Sequence, residues 1–202
     1  MDIKMKVILI RHGKTKGNLE HRYVGTTEES LAPEGIRTLM EYKEKGLYPK
    51  ADRIYISPQI RCVESARVIY PDREYIPYAD LRECNFGEFE YKNYTELKDN
   101  ENYQRWIDSN GTMDFPKGER VSEFKARCQN AFEQIITSVK EERIAFIIHG
   151  GTIMSILHKY ARPHKDYYDW QIGNGEGFIT KVAEDKKSLQ ILRLIGDHCD
   201  TL

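Results

Sequence analysis

The chain has no long apolar run, no closely paired cysteines and no excess of one charge, and each absence removes a class of function. Its longest uninterrupted apolar stretches are residues 7–10 and 144–148, far short of a bilayer span, so no membrane partner is expected. The opening Met1-Asp2-Ile3-Lys4-Met5-Lys6 lacks the apolar core of a signal peptide. Lys and Arg (31) balance Asp and Glu (32) for a net charge of −1, without the basic excess of a nucleic-acid binder. Cys62, Cys84, Cys128 and Cys199 form no C-x-x-C pair and read as free thiols of a reducing, cytoplasmic compartment. The six histidines (12, 21, 149, 158, 164 and 198) form neither an H-x-x-x-H pair nor a Cys/His quartet, so no metal and no cofactor is expected. Gly173-Asn174-Gly175-Glu176-Gly177 is glycine-rich but precedes a strand pattern instead of a helix, which makes it a turn and not a phosphate cradle. There is also no repeat and no low-complexity segment. What is present, 40% apolar residues and 11% aromatics in 202 residues, suffices for one packed domain over residues 1–202.

The pattern alternates strands and helices. Residues 7–10 fit a strand buried on both faces, stopping at Arg11-His12-Gly13; a polar loop runs to about Leu31. Pro33 suits a first helical position, and residues 34–47 read as a helix whose cap, Ala32, forgoes roughly 1 kcal/mol. Residues 53–56 read as a strand ended by Ser57-Pro58, 59–70 as a helix, and 74–78 as a short strand. Residues 84–120, rich in aromatics and turn-formers, read as an insertion with one or two short helices. A long helix over 121–140, a strand over 143–148 ended by His149-Gly150-Gly151, a helix over 152–160 and a hairpin of 178–182 with 189–194 complete the chain. The result is an α/β sheet with helices on both faces.

Two strands therefore end in the same way, Ile10-Arg11-His12-Gly13 and Ile148-His149-Gly150, and a third ends in Ser57 with Arg61 in the next helix's first turn. Ligands of parallel α/β sheets bind beyond the carboxyl ends of the strands. Two histidines and two arginines converging there, beside backbone N–H groups of helix N-termini, suit an anion, and phosphate above all.

The chain resembles the histidine phosphatase superfamily, the phosphoglycerate mutase-like proteins. Five blocks carry the resemblance, in the family's order: Arg11-His12-Gly13 with Thr15 and Asn18; Arg22-Tyr23-x-Gly25 followed by Leu31-x-Pro33-x-Gly35; Ser57-Pro58-x-x-Arg61-Cys62-x-x-Ser65-Ala66; Leu81-x-Glu83-x-x-Phe86-Gly87-x-x-Glu90; and His149-Gly150-Gly151. The resemblance implies a three-layer α/β/α sandwich with a mixed, mostly parallel sheet and a lid insertion at about 84–120. It implies that His12 is the nucleophile, that Arg11 and Arg61 hold phosphoryl oxygens, and that His149, as imidazolium, adds positive charge. Glu83 matches the general acid, against the alternative of a surface ion pair with Arg82 or a lysine. Asn18 and Ser57 match family phosphate contacts, against the alternative of a loop or capping role for either; the Gly150 N–H is a further candidate donor, and Thr15 stands where the family often has a small hydroxyl residue.

Three functions compete within this resemblance: a metal-independent phosphomonoesterase acting through phosphohistidine, a phosphoglycerate mutase, and a catalytically silent module that binds phosphate ligands. All five core residues are present, against the silent module. Residues 85–120 hold eight acids and five bases with no Arg-Arg pair, a poor setting for the second phosphate a mutase must hold. Arg22-Tyr23-x-Gly25, Phe86-Gly87-x-x-Glu90 and Pro116-x-Gly118-Glu119-x-x-x-x-Phe124-x-x-Arg127 resemble the α-ribazole phosphatase branch of cobalamin synthesis, which shares them with broad-specificity phosphatases. The expected partner is thus a small-molecule phosphate ester, α-ribazole phosphate among the candidates, with Tyr91, Tyr94 and Tyr103 placed to stack on a planar base and Phe86 and Trp106 in the insertion's core. Lys14, where the family more often has Glu or Gln, adds a cation near the pocket mouth. The chain is expected to be a monomer or homodimer, with the terminal hairpin and residues 167–170 as contact surfaces.

Overall fold

The computed structural model describes residues 5–184 and 187–196. In chain order the elements are β1 (Lys6–Arg11), α1 (Lys16–Leu19), α2 (Pro33–Glu44), β2 (Arg53–Ile56), α3 (Ile60–Ile69), β3 (Ile76–Pro77), α4 (Tyr94–Leu97), α5 (Glu101–Asp108), α6 (Val121–Ser138), β4 (Arg143–Ile148), α7 (Gly150–Tyr160), β5 (Ala161–Arg162), β6 (Gly177–Val182) and β7 (Leu189–Ile195). The sheet order is β3-β2-β4-β1-β6-β7-β5. Strands β1, β2, β3 and β4 pair in parallel, β6 runs antiparallel to β1 and β7, and β5 joins β7 in parallel. The sheet is mixed and mostly parallel, as expected.

Strand alternation divides the core in two. Val7, Leu9, Ile144, Phe146 and Ile148 face one way and pack with Phe132, Ile135 and Ile136 of α6 and Ile153, Ile156 and Leu157 of α7. Ile8, Ile10, Ala145 and Ile147 face the other way and pack with Leu39 of α2 and Cys62, Ala66 and Ile69 of α3. Successive side chains of a strand point to opposite faces, so the continuous apolar runs of β1 and β4 feed both helical layers at once. This is the α/β/α sandwich.

Several boundaries differ from expectation. Helix α2 ends at Glu44, three residues early, because Gly46 turns left-handed (φ +68°) and the Leu47 N–H closes onto the Tyr42 carbonyl. Strand β3 shrinks to two residues at the sheet edge, where Pro77 has no N–H to extend a ladder. The polar loop after His12 contains α1, and β5 adds an edge strand without an apolar run to announce it. Helix α7 begins at Gly150, with His149 as its N-cap.

The insertion builds a core of its own. Phe89, Leu97 and Tyr103 are buried there, with Tyr23, Phe86, Trp106 and Phe115 packed against them. Cys62, Cys84 and Cys128 are buried free thiols; Cys199 lies outside the described residues.

Candidate active site

Residues 11, 12 and 149 are brought together by the two central strands. Arg11 pairs with Ile148 at the end of the β1–β4 ladder, and the His12 N–H donates to the Ile148 carbonyl at 3.0 Å. His12 and His149 thus leave adjacent strands one step past the last pair, and their rings lie 5.2 Å apart, edge to face. Arg61, at the second position of α3, is fully buried. Its Nη1 donates to the Thr27 carbonyl (2.9 Å), and its Nη2 to the carbonyls of Gly25 (2.8 Å) and Val24 (3.4 Å). Arg11 donates Nη1 to the Ile172 carbonyl at 2.6 Å, and Gly150 packs on its guanidinium.

His12 Nδ1 lies 2.7 Å from the Gly13 carbonyl. A carbonyl only accepts, so Nδ1 carries the proton and the lone pair sits on Nε2. Burial, with Arg61 and Arg11 nearby, holds the His12 pKa well below the usual histidine value. The ring is neutral, with Nε2 as its nucleophilic atom. Glu83 is buried; its carboxyl oxygens accept from the Cys84 N–H (3.0 Å) and the Gly151 N–H (3.1 Å). Burial raises its pKa even so, which keeps a transferable proton on it more readily.

His149 departs from expectation. Its Nε2 contacts Ser57 Oγ at 2.7 Å and Cys62 Sγ at 3.5 Å. Burial first, then Arg61, His12 and Arg11, drive its pKa well below the ordinary value. In the protein alone this ring is neutral and not an imidazolium, since a third cation beside two guanidinium groups has nothing to offset it. The charge of the cluster is therefore that of Arg11 and Arg61, with Glu83 beside them held toward its protonated form by burial. Among the described residues, Nε of both arginines is buried without an acceptor. A buried unsatisfied donor costs roughly 1–3 kcal/mol, more when charged, and an oxyanion is the partner that removes this cost.

The remaining expected contacts divide. Thr15 is fully buried and caps α1: its hydroxyl accepts from the Asn18 N–H, while Asn18 Oδ1 accepts from the Thr15 N–H. Asn18 Oδ1 also accepts from Asn174 Nδ2 at 3.1 Å, which leaves the Asn18 amide nitrogen as its group for a ligand. The Ser57 hydroxyl is committed to His149 and, at 3.4 Å, to the Gln59 N–H. Lys14 is no free cation, because its Nζ lies 2.6 Å from Glu34 in the first turn of α2. Tyr103 belongs to the insertion's core and shares a 3.0 Å hydrogen bond with Tyr23. The Tyr91 hydroxyl donates to Glu29 and its ring lies under Arg22. Of the three expected stacking residues, Tyr94 alone is largely exposed.

The family model of the histidine phosphatase superfamily (branch 1) matches residues 7–194. The chain belongs to that superfamily. Among its relatives are phosphoglycerate mutase-like protein 4 of Arabidopsis thaliana, 29% identical over 92% of this chain and 84% of that protein, and the metal-independent phosphoserine phosphatase of the same plant, 28% identical over 75% of this chain and 66% of that one. The adenosylcobalamin/alpha-ribazole phosphatase of Escherichia coli K12 is 23% identical over 95% of this chain and 98% of its own length. The crystal structure of the alpha-ribazole phosphatase from Shigella flexneri has the same fold, with a TM-score of 0.81 at 20% identity over 98% of this chain and all of that one. This histidine phosphatase is accordingly an enzyme of phosphoric monoesters.

Two parts of the histidine phosphatase site were not anticipated. The Gly173–Gly177 turn packs beneath the nucleophile: the Gly175 N–H donates to the carbonyls of Arg11 and His12, and Asn174 Nδ2 to that of His12. Its glycine spacing was visible, but not its destination. Glu90 gathers the Gly25 and Thr27 N–H groups and the Thr27 hydroxyl on one oxygen, fixing the loop on which Arg61 rests.

Proposed function

We propose that the protein is a metal-independent phosphomonoesterase of small molecules that works through a phosphohistidine at His12. The observation that carries this is the lone pair left on His12 Nε2, set beside the guanidinium groups of Arg11 and Arg61, whose buried Nε–H donors lack a partner among the described residues. In the first step Nε2 attacks phosphorus, the P–O ester bond breaks, and the leaving oxygen takes the proton of Glu83. The Gly13 carbonyl steadies the charge that develops on the phosphorylated ring through Nδ1–H. Arg11 and Arg61 neutralise the transferring group; arrival of a dianion also favours protonation of His149. In the second step the Glu83 carboxylate takes a proton from water, water oxygen bonds to phosphorus, and the P–N electrons return to Nε2.

Hydrolysis is favoured over mutase transfer because acids outnumber bases over residues 85–120, and several cations in or beside that segment are paired on the protein: Arg22 with Glu20 and Glu96, Lys117 with Glu88, Arg120 with Glu123, and Arg127 with Glu119. A substrate with one phosphate fits this charge pattern. α-Ribazole phosphate is the specific candidate, supported by the sequence blocks above and by the full-length match to a relative bearing that name; its place would then be cobalamin synthesis. The test is p-nitrophenyl phosphate turnover in EDTA by the wild type and His12→Ala, with alkali-quenched protein assayed for phosphohistidine. Wild-type activity with a labelled ring and loss of both in the variant are expected; full activity in the variant overturns the mechanism. A panel of α-ribazole phosphate, phosphoserine and 3-phosphoglycerate decides the substrate, and a preference for 3-phosphoglycerate discards the α-ribazole assignment.

A further inference from the structure

Gln59 is the N-cap residue of α3, yet its side chain makes no cap bond. It is buried, 5% exposed, and both of its polar ends are used far from home. Nε2 donates to the Gly25 carbonyl at 2.7 Å, and Oε1 accepts from the Glu83 N–H at 3.0 Å. The same Gly25 carbonyl accepts from Arg61 Nη2 at 2.8 Å. One carboxamide therefore links the backbone that anchors a phosphate-facing guanidinium to the backbone of the residue that carries the proton. We propose that Gln59 is a positioning residue for proton delivery by Glu83, a role that rests on the phosphomonoesterase reading above.

The two ends are not equivalent. Arg61 keeps other acceptors, the carbonyls of Thr27 and Val24, if Gln59 is lost. The Glu83 carboxyl is held by Cys84 and Gly151, but its main-chain N–H is held by Gln59. Removing the carboxamide therefore frees the acid more than the clamp. An alkyl phosphate needs the acid because its leaving oxygen departs as an alcohol. p-Nitrophenyl phosphate needs it far less, because nitrophenolate is stable on its own. A residue that merely filled space would affect both esters alike.

The experiment compares kcat/KM, which reports the first transfer, for glycerol 2-phosphate and p-nitrophenyl phosphate in the wild type and in Gln59→Met, a variant of similar volume. The expected result is a loss of about tenfold on the alkyl ester, a part of the roughly 10²–10⁴-fold that general acid catalysis supplies, and less than about twofold on the aryl ester. Inhibition by inorganic phosphate should change little. Equal losses on both esters, or none on either, overturn the role. Should Gln59→Met not fold, Gln59→Leu carries the test with the same expected split between the two esters, and equal losses again overturn the role. A wild type that forms no acid-labile phosphoenzyme overturns the reading of the site. A wild type that forms it, with an unchanged ester ratio in the variant, overturns the role of Gln59 alone.

Discussion

Neutral His12 and His149 make the protein's stability sensitive to mild acid. Both rings are buried, and burial with Arg61 and Arg11 beside them lowers both pKa values well below the ordinary one. In the unfolded chain each titrates near pH 6.5. Below that pH the unfolded chain takes up protons that the folded chain refuses, so stability present above pH 6.5 is lost as pH falls. Between pH 7.0 and 5.5 the loss is about 1.3 kcal/mol for each ring that stays neutral, or about 2.5 kcal/mol for the pair. Glu83 acts in the opposite sense: its folded pKa is raised, so stability rises as pH falls through that value. Comparison of the wild type with His149→Asn cancels Glu83 and isolates one ring. Urea denaturation at the two pH values should show the wild type losing about 1.3 kcal/mol more than the variant. Added sulfate, an anion that keeps its charge over this range, should shrink the difference by favouring a protonated His149. Equal losses in the two proteins without sulfate refute a neutral ring at 149.

Other substitutions separate the roles of neighbouring groups. Glu83→Gln should lower kcat/KM on alkyl phosphates by roughly 10²-fold or more and abolish the alkaline fall of the pH–rate profile, which in the wild type marks deprotonation of Glu83; an unchanged alkaline limb in the variant assigns that titration elsewhere. Gly25→Ala brings a Cβ to 2.1 Å from the Cys84 carbonyl oxygen, so a melting experiment should show a destabilisation of about 2 kcal/mol or more, with activity falling as the support of Arg61 shifts. Ser57→Ala removes the 2.7 Å contact with His149 and should cost about 1–2 kcal/mol in urea denaturation, while wild-type stability in the variant excludes a structural contact there.

The sandwich was legible because β1 and β4 are short continuous apolar runs and the helices between them are amphipathic, patterns that depend only on local spacing. The clustering of Arg11, His12, Arg61 and His149 was legible for the same reason, since each follows or flanks a strand end. Electrostatics were not: His149 beside two guanidinium groups is neutral only because all three are buried together, and burial is a property of the fold. Tyr103 was misplaced because an exposed lid and a small satellite core have similar aromatic content; its packing on Phe89 and Tyr23 follows from tertiary contacts. Thr15 and Asn18 cap one another across three residues, a local bond that a polar loop equally permits. Gln59 left no periodic signal, because its partners are 34 and 24 residues away.

The spacing of the two histidines has a consequence for how such an enzyme changes its substrate. Neighbouring strands of any sheet lie about 4.8 Å apart, and the 5.2 Å between these rings follows that repeat because each ring directly succeeds a strand of the β1–β4 pair. The separation of the two rings is thus inherited from the main-chain hydrogen bonding of β1 and β4. The helical part of the insertion, residues 94–108, can therefore be recoloured with new side chains while the distance between the two rings stays put, so selectivity can diverge while the ring pair is kept.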